Sequence, residues 1–271
     1  MRNLVLTFHN VTDAVWFEQV IAIVSRFYHI GTLDQLYGRL NGTLADTPSW
    51  MCFFTFDDGE KSVYDIVFPI IKKRKLPIAL FVSPENIQKG GSFWFQRMRK
   101  IDATRIENMK QYYLNRINTC INQLDSLGIT DVDANINLQM FVEMLDSGLV
   151  TFGAHTQHHP ILANESLTTV TTEICDSISE LATLSKREIL YFAYPNGGKA
   201  DFSEREISIL QQEGIVMAFS LIPGFANSKD MYRIKRVGLT NGTWWHIALK
   251  IFFPIVFDWI KSCVKGMSER K

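Results

Sequence analysis

Short, nearly unbroken apolar runs recur along the chain, separated by longer stretches in which apolar residues return every three or four positions. The runs cover residues 4–9, 51–56, 78–82, 149–152, 189–194 and 215–219, with a weaker one at 232–239. Strands covered on both faces read as continuous apolar segments rather than alternating ones, so these runs predict parallel strands. Between them, residues 13–27 carry Val15, Trp16, Val20, Ile23, Val24 and Phe27 at helical spacing, and residues 63–75 and 166–185 follow the same period. Strand then helix, repeated about seven times, predicts an α/β fold of the distorted (β/α)7 barrel type.

Two stretches break the rhythm. Residues 92–147 are polar and helical in pattern, with no convincing strand, and read as a helical insertion near the mouth of the barrel rather than as a separate domain. Residues 244–271 form an apolar tail beyond a body spanning 1–243. Lys250, Pro254 and Asp258 interrupt the tail, which argues against a membrane-spanning helix. What is left is a helix packed on the body or one resting on a membrane surface as a peripheral contact.

Composition narrows the partners. The chain has 271 residues, 46% of them hydrophobic, enough for one large core. Lys plus Arg and Asp plus Glu both number 28, so the formal charge is zero. No basic field points to nucleic acid, and the balance suits a neutral partner such as a carbohydrate. Cys52, Cys120, Cys175 and Cys263 are widely spaced and form no CxxC pair, which disfavours a disulfide framework. The first residues show no long apolar segment of a secretory signal. Both features point to the cytoplasm. Nothing in the sequence speaks to oligomeric state.

The chemistry concentrates where runs end. Thr55-Phe56-Asp57-Asp58-Gly59 closes one apolar strand, at the end where barrel enzymes place catalytic groups. Two adjacent carboxylates repel unless a cation sits nearby, although an Asp-Asp-Gly turn can also simply stop a strand. Gly153-Ala154-His155-Thr156-Gln157-His158-His159-Pro160 follows another run. His155 and His159 are four apart, so one helical turn would put both imidazoles on one face, with His158 pointing elsewhere. Two histidines and a carboxylate make a common hydrolytic zinc set. A third run ends in Tyr194-Pro195-Asn196-Gly197, a turn able to present backbone N–H groups to an oxyanion.

Together these segments resemble the motifs of the polysaccharide deacetylases, carbohydrate esterase family four, over residues 3–239. The resemblance implies a divalent metal, usually zinc but with cobalt, nickel or iron also tolerated, held by Asp58, His155 and His159. It implies Asp57 as general base and the backbone N–H of Asn196 as oxyanion donor, with Tyr194 in the same substrate-binding turn. It implies removal of an N-acetyl group from a sugar of a cell-surface polysaccharide or its lipid-linked precursor; a deformylase or O-acetyl esterase would use the same site. Two departures stand out. The family often has an arginine two residues before the motif's proline, bracing the catalytic aspartate; here that residue is Ala193, and Arg233 and Arg236 are replacements by location. The late histidine that usually serves as general acid is also missing. His9, ending the first run, resembles the histidine that opens a subgroup of these enzymes and is the candidate acid. Gly90-Gly91-Ser92-Phe93-Trp94-Phe95 resembles another segment of that subgroup, in which Trp94 could stack on a pyranose or anchor the insertion. The departures also leave room for an inactive carbohydrate-binding protein.

Overall fold

A computed structural model describes residues 2–98, 115–130, 133–227 and 229–253. Residues 99–114 of the insertion and 254–271 of the tail lie outside the described residues, and with them Cys263.

Six strands lie within the predicted runs or a residue or two from them: β1 (Arg2–Phe8), β3 (Trp50–Phe56), β4 (Ile78–Val82), β5 (Val150–Ala154), β6 (Tyr191–Ala193) and β7 (Met217–Phe219). Two more, β2 (His29–Ile30) and β8 (Val237–Gly238), are only two residues long. All pair in parallel, in the order β7-β6-β5-β4-β3-β1-β8, with β2 on β3. The weak run 232–239 does more than form β8. Ile234 bridges to Phe219 of β7, while Val237 and Gly238 pair with Leu6 and Thr7 of β1. One segment therefore joins the two ends of the curled sheet.

The helices predicted at 13–27, 63–75 and 166–185 are α1 (Ala14–Phe27), α3 (Phe68–Arg74, entered through one π-helical turn, Val63–Val67) and α8 (Leu167–Ser185). Asp13 caps α1 by accepting from the N–H groups of Val15 and Trp16, and Ser166 caps α8 at Thr169. Thr32 and Gln35 form a capping box on α2 (Leu33–Asn41), and Ser203 and Glu206 form another on α9 (Glu204–Gln212). After β4 comes α4 (Pro84–Lys89), and in the interrupted stretch stand α5 (Trp94–Met98), α6 (Ile117–Ser126) and α7 (Leu138–Asp146), with no strand among its described residues. The last of these belongs to the barrel's outer layer: Phe141 meets Phe152 of β5 at 4.4 Å between ring centroids.

Strand alternation divides the core. Val5, Met51, Phe53, Ala79, Phe81, Tyr191, Ala193, Met217, Phe219 and Ile234 fill the barrel interior. Their neighbours Leu4, Leu6, Phe8, Cys52, Phe54, Phe56, Leu80, Phe152 and Phe192 face the helices. Continued past the apolar layer, the same alternation turns Thr7, Thr55, Asp57 and Arg236 inward, and all four are buried. A polar layer thus caps the interior at the C-terminal ends of the strands.

Candidate active site

Asp57 continues the inward series Met51, Phe53, Thr55. Asp58 would face outward by alternation, but its φ of 70° folds the chain back, and both carboxylates reach one site. Gly59 follows at φ 69°, where a Cβ would come within 3.0 Å of Val82, so the turn requires glycine. Among the described residues six non-glycine positions have positive φ; Lys75 and Lys186 cap helices, and Asp58, Thr156, His159 and Asn196 all belong to the site loops. Such backbone is held only where the surroundings over-determine it.

His155 and His159 converge through a loop, not through the helical turn expected from their spacing. Thr156 and His159 adopt left-handed conformations, and the Thr156 hydroxyl donates to the His155 carbonyl (2.5 Å) while accepting from the His159 N–H (3.1 Å). Glu173 of α8 fixes the same loop by accepting from the N–H groups of Gln157 (3.0 Å) and His158 (2.9 Å). His158 points away, held between Glu173 (2.6 Å) and Glu85 (2.5 Å). Those two carboxylates keep it an imidazolium, its pKa pushed up to about 10.

Asp58, His155 and His159 are buried and offer ligand atoms within 4.8 Å of one another. Nε2 of each histidine stands 3.5 Å from Asp58 Oδ1, too far for a good hydrogen bond, and that oxygen is buried without a partner. His155 Nδ1 donates to the Ala193 carbonyl (2.7 Å), which directs its Nε2 lone pair into the site. Burial lowers the His159 pKa to about 4, so its ring is neutral and also able to coordinate. Burial opposes ionisation of Asp58 too, but the neighbouring His155 and His9 outweigh it and hold the carboxyl well below its usual range. An orphaned carboxylate oxygen facing two imidazoles fits a divalent cation.

Arg236 supplies the missing brace. Its Nη1 and Nη2 donate to Asp57 Oδ1 and Oδ2 at 2.7 and 2.8 Å, a bidentate pair with both partners buried. Nε donates to the Ser220 carbonyl (3.0 Å) and Nη1 also reaches Thr7 Oγ1 (3.1 Å). Burial would raise the Asp57 pKa; Arg236, His155 and His9 together lower it, so the carboxylate stays ionised. Arg233, the other replacement by location, pairs instead with Asp230 and Glu204 away from the site.

His9 stands at the rim, its Nε2 3.9 Å from Asp57 Oδ2, with a side chain 42% exposed. It lines a pocket of about 230 Å³ with both aspartates, His155, His159, Asn196, Phe95 and Leu221. Asn196, at φ 58°, lines this pocket, and no acceptor takes its backbone N–H among the described residues. Two expected site residues are elsewhere. Tyr194 follows inward-facing Ala193, so its ring faces outward, stacked on Phe202 at 3.7 Å, and its N–H is taken by the Phe219 carbonyl. Trp94 is buried and takes the anchoring role: Nε1 donates to the His159 carbonyl (3.0 Å). The aromatic residue that lines the pocket is its neighbour Phe95. Phe95, Leu221 and Glu173 were not foreseen; only Phe95 carried a signal, its place in the aromatic segment 93–95.

Solved structures share this architecture. Streptococcus pyogenes deacetylase PplD, solved with acetate, superposes with a TM-score of 0.67 at 17% identity, covering 93% of this chain and 98% of that one. IcaB from Ammonifex degensii gives 0.67 at 21%, covering 91% and 95%. The BpsB deacetylase domain from Bordetella bronchiseptica gives 0.62 at 16%, covering 87% and 95%. At these identities the likeness is one of fold. A comparison with curated protein sequences returns no match. A family model described as polysaccharide deacetylase matches residues 45–218, well over half the chain, and takes in Asp57, Asp58, His155, His159 and Asn196. The chain therefore belongs to the polysaccharide deacetylase family, hydrolases that act on N-acetyl amide bonds.

Proposed function

We infer that this protein is a zinc-dependent N-deacetylase of a sugar in a cell-surface polysaccharide or its lipid-linked precursor, working at the cytoplasmic membrane surface. The observation that carries the reading is the union of two buried groups at one pocket: the Asp58–His155–His159 cluster and the Asp57–Arg236 pair. Two imidazoles and one carboxylate suit zinc, which when bound would acidify a water and polarise the amide carbonyl.

The chain's own residues account for the proton movements. Asp57, kept ionised by Arg236, accepts the proton of the attacking water. The Asn196 N–H donates to the oxygen that becomes negative as the carbonyl carbon turns tetrahedral. His9, across the pocket from the cluster and solvent-accessible, gives a proton to the departing sugar amine. Phe95 and Leu221 supply the apolar wall against which the acetyl methyl packs. The Arg236 brace restores what Ala193 lacks, so the departure that suggested a decayed binding protein is compensated inside the barrel.

The reading is tested by acetate release from N-acetylated oligosaccharides by the zinc-loaded protein, with formate and O-acetyl substrates alongside. Asp57→Asn should retain stoichiometric zinc and lose about 10²–10⁴-fold in turnover. His155→Ala should lose the metal itself. Zinc-loaded wild type that releases no acetate from any such sugar would refute the assignment.

The C-terminal helix supports the membrane part. In α10 (Trp244–Phe252), Ile247 and Ile251 pack inward, while Trp244, Trp245, Leu249 and, just beyond, Phe253 are exposed. No helix among the described residues is long and apolar enough to cross a membrane. Exposed tryptophans beside a buried apolar stripe suit the headgroup region of a bilayer.

A further inference from the structure

The three candidate ligands come from two loops, one after β3 and one after β5, and they are not held alike. His155 is oriented by the hydrogen bond from its Nδ1 to the Ala193 carbonyl. His159 has no such support: its Nδ1 is buried and, among the described residues, without a hydrogen-bond partner. Packing has to hold its ring instead, and that packing comes from the insertion. The Phe93 and Phe95 rings, stacked on each other at 5.4 Å between centroids, meet the His159 imidazole at 5.2 and 4.8 Å. Trp94, between them in the chain, donates to the His159 carbonyl (3.0 Å). Three consecutive residues grip one ligand, two by its ring and one by its backbone.

The same segment also reaches the Asp58 loop. Gln96 Nε2 donates to Asn135 Oδ1 (2.8 Å), and Asn135 Nδ2 donates back to Gln96 Oε1 (2.9 Å) and to the Gly91 carbonyl (3.2 Å). Gln96 Oε1 accepts from the Phe93 N–H as well (2.8 Å), so this buried carboxamide pair sets the turn that presents the aromatic rings. Asn135 in turn forms an antiparallel bridge with Glu60. Beside it the Ile136 N–H donates to the Gly59 carbonyl and the Lys61 N–H to the Ala134 carbonyl, each at 2.8 Å. Gly59 directly follows Asp58. A strap therefore crosses the centre outside the barrel sheet, from the Asp58 loop through Asn135 and Gln96 to the phenylalanines and His159.

The strap has a small core of its own. Trp94 and Met98 of α5 cluster with Ile117, Cys120 and Leu124 of α6, apart from the two clusters of the barrel. A unit with few apolar contacts of its own can open while the rest of the fold stays closed. We propose that the helical insertion is the retention clamp of the metal centre: residues 93–96 hold the His159 ring in place against Asp58, and opening of the insertion's core releases the metal from a barrel that remains folded. The proposal rests on the metal reading of Asp58, His155 and His159, and not on the identity of the substrate. Contacts that orient a ligand from behind change metal affinity by roughly 10–100-fold.

The test measures zinc affinity of the full-length protein by chelator competition, together with the visible absorption of the cobalt-loaded protein. Phe93→Leu, which removes one ring behind His159, should weaken zinc binding by about tenfold or more and alter the cobalt spectrum. Two matched cavity substitutions separate the clamp from a general loss of stability. Leu124→Ala, in the insertion core, should also weaken zinc binding about tenfold. Leu36→Ala, on α2 in the barrel cluster, should lower the melting temperature and leave zinc affinity at the wild-type value. If Leu124→Ala fails to fold, Phe93→Leu against Leu36→Ala decides. Wild-type zinc affinity in either Phe93→Leu or Leu124→Ala would overturn the clamp, as would equal weakening in Leu36→Ala. The expected pattern in a protein that releases no acetate would leave the clamp standing and remove the deacetylase reading. A wild type that binds no zinc would remove the metal reading and the clamp together.

Discussion

Asp57 and Arg236 are 179 residues apart and exchange two hydrogen bonds inside the barrel. A buried ion pair is costly to break from one side, because the remaining charge stays desolvated. Arg236→Met should therefore destabilise the protein by about 3–5 kcal/mol in urea denaturation and abolish turnover. Arg236→Met combined with Asp57→Leu should recover most of that stability and none of the activity. Trp94 gives a second test at this scale. Its indole N–H fixes the loop that carries His159, so Trp94→Phe should weaken zinc binding about tenfold in a chelator competition. A sugar-stacking role would instead raise KM with zinc affinity unchanged. The candidate metal ligands were legible because they follow closely on the ends of apolar runs. The orientation of Tyr194 was legible in principle from alternation with Tyr191 and Ala193 inside. The burial of Trp94 was not, since it depends on a loop 65 residues away.

The strands place the chemistry, and their packing leaves little slack. Gly153 in β5 passes so close to its neighbours that a Cβ there would lie 2.6 Å from the Phe81 ring and 2.8 Å from the Tyr191 carbonyl. Backbone cannot give way as a flexible side chain can. Gly153→Ala should cost about 1–3 kcal/mol by chemical denaturation and displace His155 two residues on. Gly238 in β8, with nothing within 4 Å of the same position, should accept alanine with little change in midpoint. The long runs predicted β1, β3, β4 and β5 well because continuous burial on both faces leaves a strong signal. β2 was too short for any period to register, and β8 showed only as part of the weaker run 232–239. The helical turn expected between His155 and His159 failed for a different reason: spacing of four is compatible with a loop once Thr156 and Glu173 hold it.

For the molecule as a whole, closure of the sheet and docking of the C-terminal helix matter most. α10 rests on α1 through Phe252, whose ring meets Phe27 at 5.0 Å, and this leaves its tryptophans outward. The protein should co-sediment with vesicles of mixed zwitterionic and anionic lipid. The double change Trp244→Ser with Trp245→Ser should reduce that binding about tenfold or more while leaving turnover of a soluble oligosaccharide unaltered. Co-sedimentation that ignores both tryptophans would remove the helix from the membrane reading. His9 and Arg236 both lie outside the residues matched by the family model, yet closure of the barrel brings Arg236 into its interior and His9 to the rim of the pocket.

By itself the sequence determined the parallel α/β barrel and the Asp58, His155 and His159 group able to hold a metal; the separate roles of Asp57 and Asp58 came only as what the family resemblance implies. Continuous apolar runs specify buried strands, and residues at strand ends inherit their position from local geometry. Tertiary structure alone decided that Arg236 rather than Arg233 braces Asp57 and that Phe95 rather than Trp94 lines the catalytic pocket. These are contacts between segments remote in the chain, set by barrel closure and side-chain packing, and no local pattern encodes them.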